Sequence, residues 1–414
     1  MSTPSLLNIP YLYKAGTLYS QIPESGAGDF TVSRTTTVAN RSTRINKDGL
    51  IELVNDNVPR LDYPLGGAVN GCPALLVEPS AQNIFQRSEE FNDAYWVKNL
   101  ASFTQNSIIA PDGTNTADKI FATAAPGNHF FTRTSTQTGQ HTFSIFVKAS
   151  EYSFIRLQDV NSGTYNVSFN LLAGVASGTG ASIQNYGNGW YRCIVTYNGG
   201  GLSVSNGFIG VSTLAGSISY TGDGVSGVFV WGAQLETGSV PTSYIPTTTA
   251  VVTRSADVIR KTNITSLIGQ SEGTVYFELE VTAEARDKLF FSLDSASNSL
   301  IQGWVDSSRQ VKMFIQNAGS TVMATLTSSA LSIGYHKVAF AYNTATNGCE
   351  MFIDGVQNPV ASRTVTGAGL PALNNFTFGN YITSTIDGFK AHIRAGELHP
   401  NRLTNAQLAT LTAL

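Results

Sequence analysis

The sequence predicts an all-β protein, two antiparallel β-sandwich (jelly-roll) domains behind an extended N-terminal arm. Short runs rich in Val, Ile, Phe and Tyr recur between Gly-rich turns over residues 91–236 and again over 273–396. Charged residues make up 13% of the chain, against roughly 25% in ordinary soluble proteins, and Gly, Ser, Thr and Asn take their place. No helical period of comparable strength accompanies either region. A chain of 414 residues has room for two or three domains, each able to bury its own core.

Residues 1–86 are the least regular part. The polar, β-prone Ser33 to Thr43 is followed by Ile45 to Val54, with Lys47-Asp48-Gly49 as a hairpin turn, and then by Pro59, Pro64, Pro73 and Pro79. This segment reads as an extended attachment region with a few short strands, held by packing on a neighbour or partner. Residues 87–246 read as a jelly roll, with strands at Phe143 to Lys148, Phe154 to Gln158, Tyr165 to Leu171, Trp190 to Tyr197, Phe208 to Val211 and Val228 to Trp231. Gly238, Pro241 and Pro246 end that pattern, because proline lacks the amide a ladder needs, and 247–270 read as a semi-rigid linker. Residues 271–414 repeat the theme from Val275 to Val281 through Gly388 to Arg394. They close on a short helix with Thr404 as its cap and Leu408 and Leu411 on one side, covering a sheet edge. Gly189-Trp190-Tyr191-Arg192 and Gly334-Tyr335-His336-Lys337 lead at the same offsets to Tyr197-Asn198 and Tyr342-Asn343. They read as matching hairpin strands in two sandwiches.

A formal net charge of −3 with no Lys or Arg block argues against nucleic-acid binding through counterion release. Cys72, Cys193 and Cys349 lie far apart with no CxxC and no His at ligand spacing, which fits a fold matured in a reducing cytosol without disulfide or zinc. Met1 to Pro10 lacks the form of a secretory signal, and no apolar run is long enough to span a membrane, so no membrane insertion is expected. A protein made in the cytosol can still act outside it, if it leaves as part of a particle released by lysis.

Five strings, in this order and spacing, resemble a module of tailed-bacteriophage virion proteins found in tail and head fibres. They are Leu75 to Asn83 (LLVEPSAQN), Arg87 to Trp96 (RSEEFNDAYW), Pro111 to Lys119 (PDGTNTADK), Asn188 to Arg192 (NGWYR) and Trp231 to Pro246 (WGAQLETGSVPTSYIP). Residues Gly334 to Tyr342, Cys349 to Gly355 and Leu403 to Leu411 resemble a concanavalin A-like (laminin G-like) lectin/glucanase domain. Together the resemblances imply a virion surface protein, often oligomeric and often glycan-binding, with a carbohydrate-binding-module-like jelly roll. They imply contact with other virion subunits through the N-terminal region and a homo-oligomer, with a trimer as the assumed form.

Glu278 and Glu280 sit two apart on a strand, so their carboxylates share a side at roughly glycosidase spacing. Same-face glutamates on an edge strand more often meet solvent, and the Glu-x-Asp-x-x-Glu pattern of glucanases is missing, so no enzyme is expected. His129, His141, His336, His392 and His399 show no nucleophile elbow and no HxxxH spacing. Gly199 to Gly201 lacks the Lys and Ser/Thr of a phosphate loop. No cofactor is expected beyond a structural calcium, whose candidate ligands are the loop residues Asp112, Asp118, Asp223 and Asp387; the plainer reading of each is an Asx turn. Glycan binding needs aromatic faces beside polar turns, and Tyr95, Trp96, Tyr186, Trp190, Tyr191 and Trp304 are the candidates, with Trp231 read as core. Packing is the plainer reading of any one of them.

The expectation is therefore a structural virion protein, a fibre or decoration component that adheres to host or environmental polysaccharide. Its rivals are an assembly protein without a ligand and a glycan depolymerase.

Overall fold

The structure is a computed structural model that describes residues 3–63, 73–159, 163–212, 219–282, 288–295, 299–317, 322–344, 348–358, 373–379 and 391–414. Its regular structure is almost all antiparallel strand, with one α-helix, Asn405–Leu411, among the described residues.

The jelly roll is a ten-stranded sheet threaded on two long strands, Phe130–Ala149 and Trp190–Ser212, that pair with each other along most of their length. Gly227–Thr237 lies on the other side of Phe130–Ala149, and Phe154–Asp159 follows Trp190–Ser212. The alternation read from the sequence is satisfied on the inner face, where Phe131, Phe143, Ile145, Val147, Leu157, Phe169, Val195 and Val228 form one core with Phe85, Phe91 and Trp96. Gly232 makes a bulge in Gly227–Thr237, where the register with Phe130–Ala149 shifts. Its φ is 60°, and a Cβ there would lie 2.9 Å from the Phe146 ring and 3.2 Å from that of Tyr244, so a side chain is excluded both by conformation and by space.

The second sandwich is built from both ends of the chain. One sheet runs Val356–Gln357, Glu350–Ile353, Gly334–Asn343, Glu272–Val281, Ala391–His399, Ala74–Val77, Leu61–Asp62, with Leu6–Asn8 also paired to Ala391–His399. The facing sheet runs Tyr13–Lys14, Thr17–Leu18, Phe30–Ser33, Val258–Thr262, Asn375–Gly379, Lys288–Asp294, Leu300–Val305, Gln310–Gln316, Val322–Ala330. Residues 1–86 are thus not an extended arm. Leu6, Leu18, Phe30, Val32, Leu61, Leu75 and Val77 are each at most 4% exposed and share one core with Phe277, Phe291, Phe340 and Phe376. Burying side chains of this size stabilises by about 1.5–3 kcal/mol each, which is why the segment folds onto its own chain.

Nor are residues 247–270 a tether, since Val252–Arg254 pairs with Ala81–Asn83, and Val258–Thr262 lies inside a sheet between Phe30–Ser33 and Asn375–Gly379. The jelly roll is therefore an insertion, leaving the second sandwich at Asn83 and returning at Val252. Asn83 fastens this neck: its amide donates to the carbonyls of Ala233 at 3.1 Å and Ile245 at 2.9 Å, and its carbonyl accepts from the N–H groups of Phe85 and Leu235.

Beside the neck lies a buried ionic cluster. Arg34 meets Asp257 at 3.0 Å, Arg60 meets both Asp257 and Glu78, the latter at 2.8 Å, and Arg254 reaches Glu78 at 3.3 Å, with every side chain at most 2% exposed. Ser243, from the jelly-roll side, donates its N–H and hydroxyl to Glu78 at 2.8 and 2.6 Å. Burial works against the charge on Asp257, yet Arg60, Arg34 and Arg254 hold its carboxyl below the usual range.

The matching strings at Gly189 and Gly334 each lie at the start of a strand, Trp190–Ser212 and Gly334–Asn343. The helix has the expected cap, with Thr404 and Gln407 forming a reciprocal capping box. It packs against the outer face of a sheet rather than only its edge, with Leu408 against Tyr276, Ala339, Ala341 and Phe352.

Candidate binding cleft

The sequence candidates do not gather into one aromatic surface. Trp96 and Trp190 are each 2% exposed and are core residues, their indole N–H groups donating to the carbonyls of Arg87 at 2.9 Å and Ile109 at 3.1 Å. Tyr95 is half-buried under the Arg133 guanidinium, 4.1 Å from its ring centroid, and its hydroxyl accepts from the Gln86 N–H. Tyr186 packs edge-on to Phe146, and Tyr191 packs on Gly174. Trp304 is half-buried on the other sandwich, edge-on to Phe314 at 6.0 Å.

The aspartates also separate. Asp112 and Asp223 form the Asx turns the plainer reading gives, accepting from the N–H groups of Thr114 and of Val225 and Ser226. The Ser226 hydroxyl and these amides pull Asp223 down to about 2. Asp118 is 2% exposed and accepts from the Asn106 N–H, and burial pushes its carboxyl up to about 6. Asp387 lies outside the described residues. Among the described residues no three His, Cys, Asp or Glu side chains come together as a metal site. Cys193 and Cys349 are buried free thiols, and Cys72 lies outside the described residues.

The glutamate pair is occupied. The strand Glu272–Val281 is internal, not an edge, between Gly334–Asn343 and Ala391–His399. Glu278 meets Arg394 at 3.3 Å, and Glu280 meets His392 Nδ1 at 2.6 Å. The other nitrogen of His392 meets Asp62 at 2.8 Å. Burial opposes its charge, but the hydrogen bonds to Asp62 and Glu280 carry His392 up to about 10.

One arrangement missed by sequence reading has the outline of a hydrolase triad. His336 Nδ1 lies 2.5 Å from Asp354 and its Nε2 3.2 Å from the Ser332 hydroxyl. Nε2 also lies 3.0 Å from the Ser332 carbonyl, a contact that requires a hydrogen on Nε2 and so removes the lone pair a base would offer to the hydroxyl. The group pins a turn.

What the fold does assemble is a cleft of about 380 Å³ where the hairpin Ser42–Ile45/Ile51–Val54 leans over the jelly roll. Trp231 and Tyr244, 4.7 Å apart between ring centroids, lie beneath it as core residues, as read for Trp231 from the sequence, and Leu53 is its exposed apolar wall. Arg41, Asn46, Glu52, Glu89 and Asp112 supply its polar groups. Tyr244 donates its hydroxyl to Glu89 at 2.9 Å and bonds Ser88 at 2.7 Å. Burial, reinforced by the charge of Asp112, pushes the Glu89 carboxyl up to about 7. A concave, partly apolar site with a few convergent polar groups is the usual form of a small-ligand pocket. The cleft was hidden in the sequence because its two sides lie in different segments, and only Glu89, Asp112, Thr114, Trp231, Tyr244 and Pro246 fall within the five strings.

No protein-family model and no curated protein matches this sequence. Among solved structures, the heptameric SAP-like pentraxin of Limulus polyphemus is similar at 12% identity over 34% of this chain and 69% of its own, with a TM-score of 0.29. The Ruminococcus gnavus IT-sialidase CBM40 bound to alpha2,6 sialyllactose is similar at 14% identity over 37% of this chain and 92% of its own, with a TM-score of 0.31. A botulinum neurotoxin type C structure is similar at 14% identity over 38% of this chain and 39% of its own, with a TM-score of 0.32. Likeness this loose carries nothing about ligand or activity.

Proposed function

We propose that this chain is a non-enzymatic surface protein of a tailed-bacteriophage particle, a fibre or decoration subunit, that holds polysaccharide in the cleft between the hairpin and the jelly roll. The cleft is the observation that carries the binding half of this reading. Leu53, 54% exposed, offers a sugar C–H face an apolar contact above the buried Trp231 and Tyr244, and Glu89, Asp112, Arg41 and Asn46 suit hydroxyls. The virion half is supported by the five strings that resemble phage fibre modules. Ile9, Tyr11 and Leu12 are 44–53% exposed near the N-terminus, which suits contact with another subunit or another copy of the chain. A homo-oligomer, assumed trimeric, would turn weak single-site contacts into firm adhesion.

Binding of the purified chain, free and multimerised, to a glycan array tests the adhesion reading, and binding to none of the glycans overturns it. Cryo-electron microscopy of the intact particle tests the virion assignment. Light scattering that returns the monomer mass at high concentration counts against the oligomer.

A further inference from the structure

Among the described residues, the charged side chains lining the cleft are Glu52, Glu89 and Asp112 against Arg41, and Glu52 is already paired with Arg44 at 3.2 Å. Asp112 engages Thr114 through one oxygen, accepting its N–H at 2.9 Å and its hydroxyl at 2.7 Å. Glu89 takes the Tyr244 hydroxyl on one oxygen. Each carboxyl keeps its second oxygen for a guest, Asp112 as an acceptor and Glu89 as an acceptor when ionised or a donor when protonated.

A neutral sugar ring suits this lining, since its hydroxyls meet the carboxyl groups and its C–H face meets the exposed Leu53 side chain. An anionic ring does not. Its charge would enter a partly desolvated space already holding Asp112, where burial and that same charge have driven the Glu89 carboxyl up to about 7. We propose that the cleft accepts an uncharged sugar unit and excludes one carrying carboxylate, sulfate or phosphate, with Glu89 and Asp112 as the specificity-determining pair. The inference rests on the cleft being the glycan site.

Matched pairs of oligosaccharides test it on the full chain: lactose against 3′-sialyllactose, and xylo-oligosaccharides against their glucuronic acid-bearing forms. The neutral member of a pair is expected to bind at least tenfold tighter at neutral pH. Glu89→Gln combined with Asp112→Asn is expected to narrow that gap to under threefold. Leu53→Trp, at a wall residue 54% exposed and thus tolerant of a larger side chain, should fill the cleft mouth and lower neutral binding at least tenfold without loss of thermal stability. Equal or tighter binding of the acidic members overturns the exclusion while leaving glycan adhesion standing. Binding unaffected by Leu53→Trp places the sugar elsewhere and overturns the assignment to the cleft. Absence of binding to every member, even on the multimerised chain, overturns both.

Discussion

The jelly roll draws every strand of its sheet from one continuous stretch between Val97 and Thr237, whereas the sandwich it interrupts joins residues as distant as Leu6 and Leu398 in one register. Both rest on buried apolar alternation, and both are antiparallel. The difference is in the order in which contacts can form. Local hairpins close the first, whereas the second has local hairpins such as Leu300–Val305 with Gln310–Gln316 but completes its core only when a loop of several hundred residues has closed.

The sharpest break of that contrast is to divide the chain. A fragment of residues 84–246 is expected to fold alone, while one of 252–414, lacking Phe30–Ser33, Leu61–Asp62 and Ala74–Val77, should show neither near-UV circular dichroism nor a cooperative transition. A sharp unfolding transition from 252–414 would show that the N-terminal strands are dispensable. Next in size is Arg60→Met, which strands Asp257 and Glu78 in the interior and should cost about 3–5 kcal/mol in urea titration. A loss under 1 kcal/mol would mean that Arg34 and Arg254 suffice.

His392 ties Asp62 of the N-terminal half to Glu280 of the C-terminal half. Its folded pKa of about 10 lies above the usual 6.5, so its stabilisation is complete below pH 6.5 and is lost as pH rises through 10. His392→Gln should cost about 1.5–3 kcal/mol at pH 6 and flatten the decline in stability between pH 6.5 and 10. The smallest effect belongs to Thr404→Ala, which removes the helix cap at a cost of about 1 kcal/mol, read as a shift in the urea midpoint.

The contrast also explains what could be read in advance. Runs such as Phe143 to Lys148 and His336 to Tyr342 announce their strands because every second residue meets one core, and Thr404 with Gln407 announces its helix by local chemistry. Arg34 and Arg60 could not be placed that way, since each sits in a polar, Pro- or Thr-rich stretch and acquires its role only when residues about 200 positions away arrive. Trp96 and Trp190, candidates for which packing was the plainer reading, proved to be core. Polar neighbours in sequence suggested a surface, while each indole N–H finds a backbone carbonyl inside. The recurring strings are mainly framework: Phe91 and Trp96 fill the core, and Gln234 and Glu236 satisfy buried backbone groups of Ile245 and Thr242.

At the neck, the outgoing strand Ala81–Asn83 and the returning strand Val252–Arg254 run side by side. A module tethered by two adjacent crossings has the geometry of a cassette, one that another sandwich with similarly close ends could replace while the scaffold stays whole. Half of the cleft travels with such a cassette and half, Arg41 and the hairpin bearing Glu52, remains behind. Each replacement would therefore present a new combining surface on an unchanged stem.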